Sequence, residues 1–236
     1  MVRGYREDAV TTEEAERGRL RARPRPPVGV GPTGLQQLGL DVGRDGYLYV
    51  PPAYQPGKAM PLVLMLHGAG GNAQNGLLPF APLADQEGLI LLAVDSRGST
   101  WDVIGGDFGP DSAFINRALE QTFGRYSIDP SHVAVEGFSD GASYALSLGI
   151  SNGDLFSHII AFSPGFMVPR TLTGQPRIFI SHGTQDRVLP IDRCSRQLVP
   201  RLRQAGYDVT YIEFDGPHTV PPGISVDALE WFCQEP

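Results

Sequence analysis

The chain has 236 residues, a formal net charge of −7 at pH 7 and a sequence pI of about 5.2. This length predicts one large domain that buries enough surface to fold without a disulfide or a metal ion. The negative charge argues against a general nucleic-acid-binding protein, and no apolar run approaches the roughly 18 residues that would predict a membrane span.

The N-terminal part of the chain is polar and rich in charge. Residues 1–16 predict a flexible segment, and residues 17–236 predict one domain. Arginines occupy every second position from 17 to 25, which would place all five on one face of a strand. We expect a solvated edge strand, with contact to an anionic surface as the alternative. The first residues lack an apolar signal-peptide core, so we expect a cytoplasmic protein unless a leader has been removed.

Strand and helix patterns alternate from residue 35 to the end of the chain. Two strands joined by the tight turn "VGRDG" come first and predict an antiparallel pair at one edge of a sheet. Six apolar strands interleaved with helices follow, which predicts a mostly parallel sheet with helices on both faces. The eight predicted strands cover residues 35–41, 46–51, 62–68, 89–95, 132–138, 158–163, 177–183 and 209–215. The predicted helices cover residues 78–88, 110–126, 140–152, 194–207 and 226–234.

The stretch "GFSDG" (137–141) places Ser139 between two glycines, after a predicted strand and before a predicted helix. This is the context of a nucleophile elbow, in which a sharp turn lifts the serine Oγ above the carboxyl edge of a sheet. The helix that follows favours negative charge at its N-terminus. We interpret Ser139 as a nucleophile, although a five-residue pattern also occurs by chance.

A serine nucleophile needs a histidine base and a carboxylate that orients this histidine. In an elbow-containing sheet the order along the chain is serine, acid, histidine, with each residue at the carboxyl end of a strand. Asp186 follows the strand 177–183, and His218 follows the strand 209–215. Asp215 is the rival carboxylate, but it ends the same strand that precedes the histidine, and we interpret it as a loop anchor.

The glycine-rich loop "HGAGGN" (67–72) follows the strand 62–68. We expect the backbone N–H groups of Ala69 and Asp140 to form an oxyanion hole, with Gly70 lining the substrate site and His67 anchoring the loop. A phosphate-binding loop is the alternative, but the loop lacks both the Lys-Ser/Thr of a Walker A loop and the G-x-G-x-x-G spacing.

The loop "RGSTWDVIGGDFGPD" (97–111) is the predicted wall of the substrate site. Its aromatic side chains, Trp101 and Phe108, favour an apolar or aromatic ester group over a shallow cleft. The alternative is that Trp101 packs the loop onto the core. Three acids of the same loop, Asp102, Asp107 and Asp111, are interpreted as solvated, with a metal site as the alternative. Cys194 and Cys233 are expected to be free thiols.

Together, "LHGAGGN", "GFSDGAS", "HGTQDRVLPID" and "HTVPP" resemble the α/β-hydrolase superfamily over about residues 35–236. The motifs are most similar to bacterial serine esterases near the phospholipase/carboxylesterase, polyhydroxybutyrate-depolymerase-like and feruloyl-esterase-like groups. The resemblance implies hydrolysis of small to medium carboxylic esters without metal or cofactor. It implies Ser139, Asp186 and His218 as the catalytic triad and Ala69 and Asp140 as oxyanion donors.

Two departures from these groups bear on the site. An acid, Asp140, follows the nucleophile where Asn or Gln is common, so we expect its side chain to point away from the oxyanion. Only about a dozen residues separate the predicted strands 158–163 and 177–183, which predicts a minimal cap domain or none. A thioesterase or lysophospholipase, a feruloyl or polyester-type esterase, and a silent hydrolase fold used for binding are the alternatives.

Overall fold

The computed structural model describes residues 18–234 of the chain. The predicted flexible segment 1–16 lies outside these residues, so the predicted domain boundary at residue 17 stays a prediction.

Eight strands form one sheet with the order β1-β2-β4-β3-β5-β6-β7-β8. The strands are β1 (Gly34–Gln37), β2 (Gly46–Val50), β3 (Met60–Leu66), β4 (Ile90–Val94), β5 (Ile128–Phe138), β6 (His158–Phe162), β7 (Arg177–Gly183) and β8 (Val209–Phe214). β2 is antiparallel to both β1 and β4, and all the other neighbours are parallel. The predicted mostly parallel sheet with an antiparallel edge is therefore confirmed.

Helices cover both faces of this sheet. They are α1 (Ala73–Leu77), α2 (Ala84–Glu87), α3 (Pro110–Arg125), α4 (Asp140–Ser151), α5 (Ser195–Gln204) and α6 (Pro222–Cys233). Buried side chains of α3, α4 and α5 join the apolar core on one face, and those of α1, α2 and α6 join the core on the other. The sheet is thus buried on both sides, which explains why its central strands are almost wholly apolar.

Two predicted helix boundaries were wrong. A helix interrupted by prolines was expected over residues 78–88. Residues 78–83 form turns instead, because Pro79 and Pro82 lack the N–H that a helix interior requires, and only α2 is helical in this segment. The last helix begins at Pro222, four residues before the predicted start, with its proline in the first turn where no N–H is needed. No separate cap appears between β6 and β7, where the described residues include no helix.

The arginine-rich segment is not the expected edge strand. Residues 19–25 form no strand or helix and join no sheet. The N–H of Leu20 donates to the side chain of Asn152, and the N–H groups of Arg21 and Ala22 donate to the side chain of Asn116. Amide side chains on α3 and at the end of α4 therefore take the hydrogen bonds that a neighbouring strand would have made. Arg17 lies outside the described residues.

Both cysteines are free, as expected: Cys194 is buried and Cys233 is exposed. Between residues 18 and 234, no helix has the length and apolar character that a membrane crossing demands.

Candidate active site

The turn between β5 and α4 holds Ser139 in an unusual backbone conformation. Its φ of 58° and ψ of −118° lie outside the regions that side-chain-bearing residues normally occupy. Its N–H donates to the carbonyl of Phe162 at the end of β6, at 2.9 Å. A Cβ on Gly137 would collide with the backbone of Gly141. The glycines therefore permit the close crossing of strand and helix that exposes the serine.

Three side chains meet at the carboxyl edge of the sheet in one chain of hydrogen bonds. The Oγ of Ser139 lies 2.9 Å from Nε2 of His218. Nδ1 of His218 lies 2.5 Å from Oδ2 of Asp186. The three residues follow the ends of β5, β7 and β8. His218 is 79 residues from Ser139 and 32 residues from Asp186 along the chain. With Nδ1–H donating to the carboxylate, Nε2 is free to accept the serine proton.

Asp186 is held by several donors at once. Its Oδ1 accepts the N–H groups of Val188 and Leu189 at 2.9 and 2.8 Å. Burial raises the pKa of Asp186, but the amide of Leu189 and the neighbouring His218 outweigh it and hold the pKa below its ordinary value. The carboxyl is therefore ionised at neutral pH, as the orienting residue of a triad must be. The rival Asp215 accepts instead from the side chain of Gln185, at 2.6 Å.

His182 is fully buried behind the same carboxylate. Its Nε2 lies 2.8 Å from the carbonyl of Leu189 and 3.2 Å from Oδ2 of Asp186. Two acceptors at Nε2 place the ring proton there, so Nδ1 accepts from Ser195 at 2.6 Å. Burial lowers the pKa of His182. This neutral histidine braces the loop that carries Asp186.

The glycine-rich loop packs directly against the elbow. A Cβ on Gly68 would lie 3.5 Å from the Cβ of Ser139, so the loop backbone is in van der Waals range of the nucleophile. The buried ring of His67 anchors this loop, because Ser96 N–H donates to its Nε2 at 3.0 Å and its Nδ1 contacts the carbonyl of Gly68 at 2.7 Å. Burial lowers the pKa of His67, which keeps the ring neutral.

Two backbone amides near the nucleophile are unused. Between residues 18 and 234, no acceptor is bonded to the N–H of Ala69 or to that of Asp140. Asp140 opens α4, where the first helical N–H groups have no partner within the helix. Gly70 lies in the same exposed loop with a φ of +69°, and its N–H donates to Ser99 at 2.7 Å. The amides of Ala69 and Asp140 are thus available to a developing anion.

The side chain of Asp140 is engaged by the loop 97–111. Its Oδ2 accepts from the hydroxyl of Thr100 at 2.6 Å. This hydrogen bond uses one oxygen of the Asp140 carboxylate. It also connects the loop 97–111 to the first residue of α4.

The prediction that Trp101 and Phe108 form the wall of the substrate cleft was wrong. Their side chains are 1% and 2% exposed and belong to the hydrophobic core. Trp101 Nε1 donates to the carbonyl of His67 at 2.8 Å, and both aromatic rings pack against Tyr144 of α4. Burial of these rings and the indole hydrogen bond pull the loop into the core, and neither residue lines the cavity of about 500 Å³ next to His218.

The three acids of this loop are bound by the protein itself. Asp102 accepts the N–H groups of Gly109 and Asp111, and Asp111 accepts that of Asp102. Asp107 pairs with Arg170 at 2.8 Å. Burial, together with the charge of Asp111, raises the pKa of Asp102 to about 6. No group of three metal-ligating side chains occurs in the part of the chain that the structure describes.

A cavity of about 500 Å³ opens next to His218, the hydrogen-bond partner of Ser139, on the face of the sheet covered by α1, α2 and α6. Ser139 itself is not one of the residues that line it. This volume lies within the roughly 300–1,000 Å³ of small-molecule sites. Gly68 and His218 line the end nearest Ser139. The rest of the wall is largely apolar and consists of Leu66, His67, Asn75, Gly76, Leu78, Pro79, Pro82, Leu83, Phe138, Thr219, Val220, Pro222, Ser225 and Val226, with Glu136 among them.

The motif-based prediction missed this cavity. Its walls come from segments far apart in the chain, and nothing in the sequence of 78–83 or of α6 marks them as neighbours. One signal was present: Glu136 stands inside the otherwise apolar strand "HVAVEGF". A carboxyl in a strand buried on both faces is rare and often functional.

Comparison with known proteins finds sequence similarity to several esterases. The phospholipase/carboxylesterase family matches residues 111–223. A bifunctional acetylxylan esterase/xylanase of Neocallimastix patriciarum is 32% identical over 158 residues, which cover 62% of this chain and 22% of that protein. A probable feruloyl esterase C of Aspergillus clavatus is 30% identical over 158 residues, or 64% of this chain and 57% of that protein. The chain thus spans between about a fifth and three fifths of these relatives' lengths.

Solved structures share the fold. The ferulic acid esterase of Anaeromyces mucronatus superposes with a TM-score of 0.66 at 20% identity, covering 90% of this chain and 94% of that one. The carboxylesterase of Bacillus cereus superposes with a TM-score of 0.62 at 22% identity, covering 81% of this chain and 94% of that one. These similarities show an α/β-hydrolase fold.

Proposed function

We propose that the chain is a serine carboxylesterase of the α/β-hydrolase superfamily and that it hydrolyses small to medium carboxylic esters; the match to the phospholipase/carboxylesterase family and the shared fold support this. One observation carries this proposal: Ser139 Oγ, His218 and Asp186 form a continuous hydrogen-bonded chain with spacings of 2.9 and 2.5 Å. A serine in this setting has the base and the orienting carboxylate that acyl transfer requires. Hydrolysis at these residues converts the ester and one water molecule into an acid and an alcohol.

The first half of the reaction forms an acyl-enzyme. As Ser139 Oγ attacks the ester carbonyl carbon, His218 Nε2 takes the hydroxyl proton and Asp186 stabilises the resulting imidazolium. The carbonyl oxygen becomes an anion and accepts hydrogen bonds from the N–H groups of Ala69 and Asp140. When the tetrahedral intermediate collapses, the bond from carbon to the leaving oxygen breaks, and His218 gives its proton to the departing alcohol.

The second half releases the acid. A water molecule gives a proton to His218 Nε2 and attacks the acyl carbon, and the same two amides stabilise the second tetrahedral anion. Collapse breaks the bond to Ser139 Oγ, which recovers its proton from His218. The helix N-terminus of α4 behind Asp140 favours the negative charge in both steps.

Aromatic acyl esters of the feruloyl type are a second candidate substrate class. The support is the similarity to proteins named feruloyl esterase C over about 64% of this chain, together with the size of the cavity beside His218. A thioesterase would use the same three side chains, because the triad serves all acyl transfers. The cytoplasmic location stays a prediction, tested by fractionating cells that express the protein.

A substrate panel with covalent labelling tests the proposal. We expect turnover of p-nitrophenyl acetate and butyrate, and we would compare methyl ferulate, an acyl thioester and a peptide. A serine-directed organophosphate should label Ser139, as shown by peptide mass spectrometry. Ser139→Ala should lower turnover by about 10⁴–10⁶-fold with an unchanged circular dichroism spectrum. Labelling of a different serine, or near-normal activity of Ser139→Ala, would show that the assignment is wrong.

A further inference from the structure

Glu136 is a buried carboxyl group that lacks a partner. It is 1% exposed, and neither Oε1 nor Oε2 has a hydrogen-bond partner among the described residues. Leaving a buried polar group unpaired destabilises a folded protein. The hydrogen-bonding partner of Glu136 must therefore come from outside the described residues.

The surroundings of Glu136 are apolar. Its register neighbours on β3 and β6 are Met65 and Ile160, and the next residues on its own side of β5 are Ala134 and Phe138. All four belong to or pack against the core that α1, α2 and α6 cover. This burial raises the pKa of Glu136 well above its ordinary value and so favours the neutral carboxylic acid, which has one O–H donor and a carbonyl acceptor.

Glu136 also belongs to the wall of the cavity next to His218. It lies three residue positions before the nucleophile, which corresponds to roughly 10 Å along the direction of β5 at about 3.3 Å per residue. Gly68 and His218 line the same cavity close to Ser139. A substrate group that extends from the reacting carbonyl into this cavity therefore approaches Glu136 with its far end.

We propose that Glu136 determines specificity by hydrogen-bonding an uncharged oxygen, such as a hydroxyl or ether, carried by the substrate group that fills the cavity. The inference rests on the proposed esterase function. The hydrocarbon part of that group contacts the leucine, proline and phenylalanine side chains of the wall, and its oxygen satisfies the carboxyl. A cationic group fits less well, because it would have to ionise Glu136 in an apolar cavity and lose its own water.

Matched substrates test this assignment. The acyl series compares p-nitrophenyl esters of ω-hydroxyalkanoic acids with the alkanoate one carbon longer, so that each pair has equal numbers of non-hydrogen atoms. The alcohol series compares acetate esters of diols and of the corresponding simple alcohols. The two series show whether the cavity takes the acyl or the alcohol side. The quantity measured is the ratio of kcat/KM within each pair.

Glu136→Leu removes the hydrogen bond and should lower the preference for the hydroxyl member about tenfold or more in one series. Glu136→Gln should retain most of the preference, because an amide both donates and accepts. Glu230→Leu makes the same change on the exposed side of α6 and should leave the ratio unchanged. A ratio that Glu136→Leu leaves unchanged in both series, or a preference for an ω-ammonium ester, would overturn the proposal.

Binding to the wild-type protein provides an independent measurement. Calorimetric titration with the primary amides of the same acids, and with the same diols and alcohols, requires neither turnover nor a mutation. We expect the hydroxyl member of one pair to bind about tenfold more tightly. Equal binding in every pair would refute the role of Glu136. A protein that hydrolyses no ester but shows this preference would refute only the esterase function.

Discussion

The α-carbon of Gly141 faces the backbone carbonyl of Leu66 so closely that a Cβ built on it would lie well inside 3.0 Å of that oxygen. Gly141 is the second residue of α4, and Leu66 is the last residue of β3. The helix that follows the nucleophile therefore sits directly on the strand that leads into the glycine-rich loop. Both candidate oxyanion amides depend on this contact, since one belongs to α4 and the other to the loop.

Gly141→Ala should consequently damage both fold and activity. Relieving the collision requires a backbone shift, which should lower the free energy of unfolding by at least the 1–3 kcal/mol typical of overpacking. A displacement of about 1 Å at the elbow should lower turnover roughly 10²-fold. Gly223→Ala is the matched control, because a Cβ there meets nothing within 4 Å. Urea unfolding and p-nitrophenyl acetate turnover measure both effects, and wild-type behaviour of Gly141→Ala would contradict the contact.

Trp101→Ala should affect stability rather than substrate preference. The indole is buried and donates to the carbonyl of His67, so its loss should cost about 3–5 kcal/mol in urea unfolding. Turnover should fall by a similar factor for acetate, butyrate and hexanoate esters, because no part of the ring faces the cavity. Trp101→Phe keeps most of the packing and loses the hydrogen bond, so it should be intermediate. A selective change in chain-length preference would instead return Trp101 to the substrate site.

Val226→Trp should narrow the cavity near its opening. Val226 lines the cavity from α6 and is 37% exposed. Each methylene excluded from an apolar site loses about 0.8 kcal/mol, or roughly fourfold in kcat/KM. Efficiency should therefore fall more for hexanoate than for butyrate, and more for butyrate than for acetate. Val42→Trp is the control, because it adds the same side chain at an exposed position outside the cavity wall and should leave the three efficiencies unchanged. Equal losses on all three esters would mean that acyl chains do not enter this cavity.

Asp102 should make stability depend on pH in a defined window. Its pKa is about 6 in the folded protein, because burial and Asp111 disfavour the charged form, and about 3.9 when unfolded. A raised pKa means that its stabilising contribution is complete below pH ~4 and is lost as the pH rises to ~6. The melting temperature of Asp102→Asn minus that of the wild type should therefore increase between these values and then level off.

The control for this measurement is Asp107→Asn, which removes an exposed carboxyl from the same loop and breaks its pair with Arg170. Differential scanning calorimetry at half-unit steps from pH 3.5 to 7.5 follows both variants, a range chosen to bracket the roughly 4–6 window. A difference for Asp102→Asn that stays flat or declines across that window would show that the carboxyl is ionised throughout.

The sequence by itself determined the order of the strands along the chain, the parallel sheet and the nucleophile elbow. These features follow from local physics. Runs of apolar residues set the strands, and the glycines at 137 and 141 leave room for the backbone of the strand and of the following helix to pass close to each other. The positions of Asp186 and His218 were also predictable. Chain order and strand ends specify where such residues can meet in a parallel sheet, and the structure brings both to Ser139.

Only the tertiary structure decided which surfaces surround this centre. Aromatic residues on a loop predict a binding wall or a packed loop equally well. Trp101 packs the loop onto the core, because it donates a hydrogen bond to the carbonyl of His67 and its ring contacts Tyr144, both from distant segments of the chain. Likewise, the arginine-rich segment alternates like a strand, but Asn116 and Asn152 supply its hydrogen bonds. The cavity with Glu136 in its wall arises where β5, α1 and α6 come together. Such a volume is a property of packing between remote segments, which periodicity within one segment does not encode.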